Sequence, residues 1–387
     1  MNRANKTLFG AVGVVLILLA AGLSAGLGSC QSNTNGATDT PTAGTVAVSV
    51  DETFAPILQA QADTFQKLYP NAHLRISYQP EEKVMLDLIN DKVKLAVVAR
   101  DLTTEEKADF VKQTIMPRIT RIGIDGLAIV LNRANPDSML TVVQLRDIFT
   151  GKSDQWHQVS GKKTLGAINV VFDANRSSTA RFVRDSLTRG APLTNRVFAA
   201  TSNPALLDYV ATHPAAIGIV GVNWISDQDD PAAMKFLHKV RVASITARPN
   251  PKPDDYIQPY QAYLAEKTAA QLAEHSELQN YPLRRNLYVI SREARAGLGT
   301  GFASFVAGKN GQLIFQKSGL LPAQMQARII TTPKRLSAGS FLIYFALQPP
   351  FPYEFQALEK AVARCHYFGS RHFGCHRPKY SRCSESH

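Results

Sequence analysis

The chain has 387 residues, with 43 Lys and Arg against 31 Asp and Glu and hence a formal net charge of +12. A length near 400 accommodates one large domain or two lobes with a sizeable core. With 45% apolar and 19% charged residues the chain is not mainly disordered, and four cysteines are too few for a disulfide scaffold. The positive charge is concentrated at the ends: residues 1–29 carry +2, residues 334–387 carry +5, and the long stretch between carries +5. That distribution does not indicate a nucleic-acid partner.

Arg3 and Lys6 precede an uncharged apolar run from about Leu8 to Leu27, which ends in Leu27-Gly28-Ser29-Cys30. A basic start, an apolar stretch and small residues before a cut site make a secretory signal. Leu-Gly-Ser-Cys resembles a bacterial lipoprotein box, which implies cleavage before Cys30 and lipidation of its thiol. Several acyl chains hold a protein stably at a membrane surface. The alternative is an uncleaved anchor, since about 20 apolar residues can span a bilayer. Cys30 is the only cysteine before Cys365, and residues 31–43 are polar and small, as in a flexible tether. The expectation is a signal peptide over 1–29, a tether over 30–43 and an extracytoplasmic, lipid-anchored body.

From Gly44 onward short apolar runs alternate with amphipathic stretches. Thr45–Val50 alternates as a strand and Pro56–Leu68 follows as a helix. His73–Tyr78 reads as a strand, Glu81–Asn90 as a helix and Leu95–Ala99 as a strand. Thr103 and Glu106 have capping-box spacing and open the next helix. Gly126–Asn132 is a buried-strand run, followed by a helix at Val142–Phe149, a strand at Ile168–Phe172, a helix at Ser178–Leu187 and a strand at Ala216–Val220. Asn250–Asp255 is a Pro-rich break, Leu287–Ser291 a further strand, and Phe302–Ala307 starts the last helix of the body. Such alternation predicts an α/β fold of mostly parallel sheets with helices on both faces. Beyond about residue 334 the pattern stops, and a basic tail containing Cys365, Cys375 and Cys383 is expected to lie outside the fold. The spacing of these cysteines matches no paired zinc pattern. No nucleophile–histidine–acid arrangement at hydrolase spacing is present, so neither an enzyme nor a cofactor or metal site is expected.

Several segments in order are similar to one family: TVAVSVDETFAP (45–56), KLAVVARDLTT (94–104), GIDGLAIVLNRANP (123–136), LTVVQLRDIFTGKSDQW (140–156), INVVFDANRSST (168–179) and AIGIVGVNW (216–224). Together they resemble the phosphate-binding substrate receptors of bacterial ABC importers, over about residues 44–330. The resemblance implies the two-lobed periplasmic-binding-protein (type II) fold, with a ligand cleft between the lobes. The body is then 44–333, with lobe one at about 44–125 plus 250–330 and lobe two at about 126–249. It implies a monomeric receptor that binds phosphate or a similar oxyanion and delivers it to an ABC permease. Another oxyanion (sulfate, molybdate or tungstate) and a sensor or interaction module on the same fold are the alternatives.

Helix N-termini bind anions through unpaired N–H groups and a partial positive charge. Ser177, Ser178 and Thr179 take the place of the family's Ser-Gly-Thr at a strand-to-helix turn, and Asn175 and Arg176 precede them with further donors. Thr53 occupies the turn after the first strand. Arg100 matches a Ser-Arg variant of the family after the third strand, and Asp101 is the candidate acceptor for the proton of a hydrogen phosphate. Ser177 and Thr179 also suit a plain N-cap role. The chain departs from the family at Pro80-Glu81-Glu82-Lys83, where a Gly/Ser-rich helix start is usual. It departs again at Asp51 and Glu52, and at Asp173, where many relatives have arginine.

Overall fold

The computed structural model of the protein describes residues 39–161, 165–174, 176–226, 231–264, 280–323, 326–330 and 342–346. The signal-like run, Cys30 and the tail cysteines lie outside these residues. In chain order the first third holds β1 (Gly44–Asp51), α1 (Ala55–Leu68), β2 (Ala72–Gln79), α2 (Glu81–Ile89), β3 (Leu95–Val98), α3 (Thr104–Lys112) and β4 (Arg118–Asn132). The middle holds β5 (Met139–Thr141), α4 (Val142–Phe149), α5 (Trp156–Ser160), β6 (Asn169–Phe172), α6 (Ser178–Phe182), β7 (Val197–Ala199), α7 (Asn203–Thr212) and β8 (Ala216–Gly221). There follow α8 (Pro231–Lys239), β9 (Val240–Val242), β10 (Ser244–Thr246), α9 (Gln261–Leu264), β11 (Arg284–Ser291), α10 (Leu298–Ala307), α11 (Lys309–Lys317) and β12 (Leu321–Pro322). The described chain ends with β13 (Gln326–Ile330) and β14 (Leu342–Ala346).

The main sheet runs β2-β1-β3-β11-β4-β8-β6-β7, with β9 and β12 also paired on β4. Each flank is parallel: β1 with β2 and β3, and β6 with β7 and β8. The centre is antiparallel, because β11 pairs with both β3 and β4 and β4 pairs with β8. The 15-residue β4 belongs to both flanks, since its first part pairs with β11 and its second with β8. The sequence pattern identifies only the fully buried second part of β4, from Gly126 on. The earlier part begins with Arg118, Ile119, Thr120 and Arg121, which are exposed or half-buried.

Helices form where apolar residues recur on one face. In α1, Ile57, Leu58, Ala62 and Phe65 are buried and Pro56 sits in the first turn, where its missing N–H is not needed. Phe65 packs edge-on to Phe302 of α10 at 5.4 Å. Each such buried aromatic contributes roughly 1.5–3 kcal/mol of apolar burial. The capping box expected at Thr103 and Glu106 is present in full. The helix expected over Ser178–Leu187 is one α-helical stretch, α6, continued by a π-helical turn at Val183–Leu187.

Two segments differ from their expected surroundings. Asp39, near the end of the expected tether, accepts the Leu298 N–H at 2.8 Å and so caps α10. Gly301 is needed in that helix because a Cβ there would stand 1.8 Å from the Pro41 carbonyl oxygen. Residues 342–346, expected outside the fold, pair antiparallel with β13 in a two-stranded sheet apart from the main one.

Candidate functional site

The carboxyl ends of β1, β3, β6 and β8 carry the turns at which an α/β sheet presents its ligand-facing residues. β1 ends at Asp51, a fully buried residue whose Oδ1 caps the following turn by accepting the Thr53 N–H at 3.2 Å. That turn buries the Thr53 side chain. Thr53 Oγ1 lies 3.1 Å from Asp51 Oδ1, 3.2 Å from Asp173 Oδ2 and 3.4 Å from Ser178 Oγ. Asp173 follows β6 and Ser178 opens α6, so a hydroxyl from one flank of the sheet meets a carboxylate and a hydroxyl from the other. The segment after β8 closes the same junction: Asn223 Nδ2 and Trp224 Nε1 both donate to the Thr53 carbonyl, at 3.1 and 2.8 Å.

Arg285 completes the cluster. It stands directly opposite Asp125 in the β11–β4 register, at the place where β4 passes from β11 to β8. Its Nε donates to Asp125 Oδ2 at 3.0 Å and its Nη1 to Ser178 Oγ at 2.8 Å. The guanidinium lies over the Phe54 ring, 4.8 Å from the centroid, a cation–π placement. Both Asp125 and Arg285 are buried.

The electrostatics are acidic. Burial pushes the Asp51 carboxyl up to about 7; the Glu81 and Asp173 charges add to the rise, while Arg285 and the Ser178 hydroxyl oppose it. Burial raises Asp125 as well, against the pull of Arg285 and the amides of Val222 and Gly126. Glu52, half-buried, is raised by desolvation and then by Asp173. The Thr53 hydroxyl has one proton for two carboxylate neighbours.

Of the residues expected from sequence, the structure brings Thr53, Ser178 and Thr179 together. Thr179 Oγ1 is 3.5 Å from Asp173 Oδ2. Ser177 accepts the Ala180 N–H at 3.1 Å as the N-cap of α6. Arg100 forks onto Glu106 with two bonds of 2.7 Å. Asp101 is exposed, accepting the Leu102 N–H at 2.6 Å and lying 3.3 Å from Lys107 Nζ. Arg176 is exposed and pairs with Glu82 across the sheet flanks at 2.8 Å. Asn175 lies outside the described residues. Sequence reasoning missed Asp125 and Arg285. The available signal was phase: Arg285 alternates with Leu287 and Val289, which places an arginine on a buried strand face. Among the described residues, no group of three or more His, Cys, Asp or Glu side chains is placed to hold a metal ion, and no helix is long and apolar enough to cross a membrane.

The strand order, with two parallel flanks about an antiparallel centre, defines a two-flanked α/β fold. Residues 35–310 match the PBP superfamily domain, and the chain belongs to that family. It is 25% identical over 117 residues to the phosphate-binding protein PstS 2 of Streptococcus agalactiae serotype V, a match covering 30% of this chain and 38% of that one. It is 24% identical over 211 residues to the phosphate-binding protein PstS of Staphylococcus epidermidis, covering 54% of this chain and 64% of the relative. The chain thus spans less than two thirds of the length of either relative. An ABC-type phosphate transport receptor from Vibrio cholerae superposes with a TM-score of 0.50 at 20% identity, over 72% of this chain and all of that one. The structural likeness establishes the periplasmic-binding-protein fold.

Proposed function

We propose that the chain is an extracytoplasmic receptor, lipid-anchored through Cys30, that captures phosphate between the two flanks of its sheet and delivers it to an ABC permease. The two flanks then correspond to lobes at about 44–125 plus 250–330 and about 126–249. The observation that carries the reading is the contact of Thr53 and Ser178, hydroxyls from opposite flanks, with Arg285 2.8 Å from the Ser178 oxygen. The family and the printed functions of the relatives above support it, and they describe binding proteins, not enzymes.

The arrangement sets requirements on the ligand. Thr53, Ser178, Thr179 and Arg285 are donors suited to oxyanion oxygens. Asp51 and Asp173 are acceptors beside them, so the ligand must also donate. A hydrogen phosphate does both; fully deprotonated sulfate or molybdate only accepts and meets the carboxylates as repulsion. With Thr53 and Ser178 only 3.4 Å apart, entry of a tetrahedral anion requires the flanks to separate. Their closure around it excludes water and strengthens the charge-assisted bonds.

Calorimetry on the detergent-purified full chain with phosphate, sulfate and molybdate at pH 7.5 tests this reading. Saturable phosphate binding, weakened at least tenfold by Ser178→Ala and absent with sulfate, is the expected result. A folded chain that binds none of the three overturns it.

A further inference from the structure

Glu81 is the first residue of α2 and its side chain is only 3% exposed. Its carboxylate is held as a bound anion is held. Oε1 accepts the Ala99 N–H at 2.9 Å and Arg181 Nη2 at 3.2 Å, and Oε2 accepts Arg181 Nε and lies 3.8 Å from Arg100 Nε. The three donors come from two places: Ala99 and Arg100 follow β3, and Arg181 reaches across from α6. One backbone amide, a two-toothed guanidinium and a second guanidinium alongside are the elements of a carboxylate or phosphate cradle.

The cradle is also reachable. Arg181 and Arg100 keep 24% and 20% of their side chains exposed. The other acidic groups against these arginines are already engaged or peripheral: Glu106 is forked by Arg100, and Asp185 lies 3.9 Å from Arg181 Nη1. If Glu81 rotates out, Arg181 loses its principal counter-charge and keeps only the long contact to Asp185. A free anion is then favoured in its place.

We propose that Ala99 N–H, Arg181 and Arg100 form an anion subsite of the cleft, which Glu81 fills with the chain's own carboxylate and from which an incoming carboxylate or phosphate group displaces it. The inference rests on the reading of this cleft as the ligand site and adds an affinity-setting residue to it. Because Glu81 competes as a tethered ligand, the observed affinity for a free anion is reduced by the self-occupied fraction. Removing Glu81 removes the tethered competitor and therefore tightens binding of a free anion.

The test uses the full chain in mild detergent with sodium acetate as the probe, against sodium chloride at equal ionic strength, read by thermal unfolding and calorimetry. Glu81→Ala is expected to unfold at lower temperature than the parent and to be restored saturably by acetate, at least tenfold more tightly than any parent response. Arg181→Ala in the same chain abolishes the effect. Glu81→Gln keeps an acceptor for Ala99 N–H, so it reports even if Glu81→Ala does not fold, and it too gains acetate affinity. A folded Glu81 variant with no acetate response beyond the parent's, or a response that survives Arg181→Ala, overturns the proposal. Failure of the phosphate reading appears in the parent's phosphate titration, whereas this inference fails only on the acetate response of the Glu81 variants.

Discussion

Replacing Arg285 by methionine keeps most of the apolar stem of the side chain and removes the charge that faces Asp125. The pair is deeply buried, with side chains 3% and 0% exposed, so solvent neither screens it nor rehydrates the surviving carboxylate. Breaking a buried pair by removing one partner costs about 3–5 kcal/mol. The lost bond to Ser178 and the lost stacking on Phe54 are part of that figure. For a body of this size the cost corresponds to a fall in melting temperature of roughly 10 °C. Urea unfolding at pH 7.5, followed by circular dichroism, measures it directly. The double variant Arg285→Met/Asp125→Leu removes both charges together and is expected to recover most of the loss, since well-packed apolar replacements of ion pairs are often neutral. A single Arg285→Met substitution costing under about 1 kcal/mol, or a double variant no better than the single, would refute the view that this buried pair stabilises the β11–β4 junction.

Asp51 gives a pH signature. Its carboxyl is raised from 3.8 to about 7 in the folded chain, so the folded state holds that proton more tightly than the unfolded one. The stability it contributes is full below the unfolded value and is lost as pH rises from about 4 through 7. Asp51→Asn, which keeps the acceptor for Thr53, should therefore exceed the parent in urea unfolding at pH 8 by a margin of about 1 kcal/mol or more that shrinks towards pH 5; equal margins at both pH values would contradict it. Ser177 and Ser178 separate capping from binding. Ser177→Ala should cost about 1 kcal/mol of stability with phosphate affinity nearly unchanged, while Ser178→Ala should weaken phosphate at least tenfold in calorimetry, and the reverse pattern would exchange their roles.

The strands that position the site are legible in the sequence because each is a short run of valine, isoleucine, leucine and alanine bounded by polar turns. Leu95–Val98 and Ala216–Gly221 are buried throughout. Thr53 and Ser178 are legible through the family resemblance of the turns that follow such runs. The short strands β7, β9 and β10 and helix α7 carry weaker periodicity and depend on neighbours distant in sequence. The Arg285–Asp125 pair joins residues 160 apart through strand register, which local pattern does not encode. Arg100, a candidate ligand fork from its place after the third strand, is forked in the structure onto Glu106, the capping-box glutamate of the next helix. The carboxylates at 51 and 173 read as departures in the sequence. In three dimensions they share the Thr53 hydroxyl, and this is why the proposed ligand is one that carries its own proton.

The most direct measurement is a crystal structure of the chain saturated with phosphate. The account predicts the anion between the flanks, within hydrogen-bond distance of Thr53, Ser178 and Arg285, with a phosphate oxygen facing Asp173. Phosphate bound elsewhere, or the Thr53–Ser178 contact unchanged at 3.4 Å in a phosphate-saturated crystal, would contradict it.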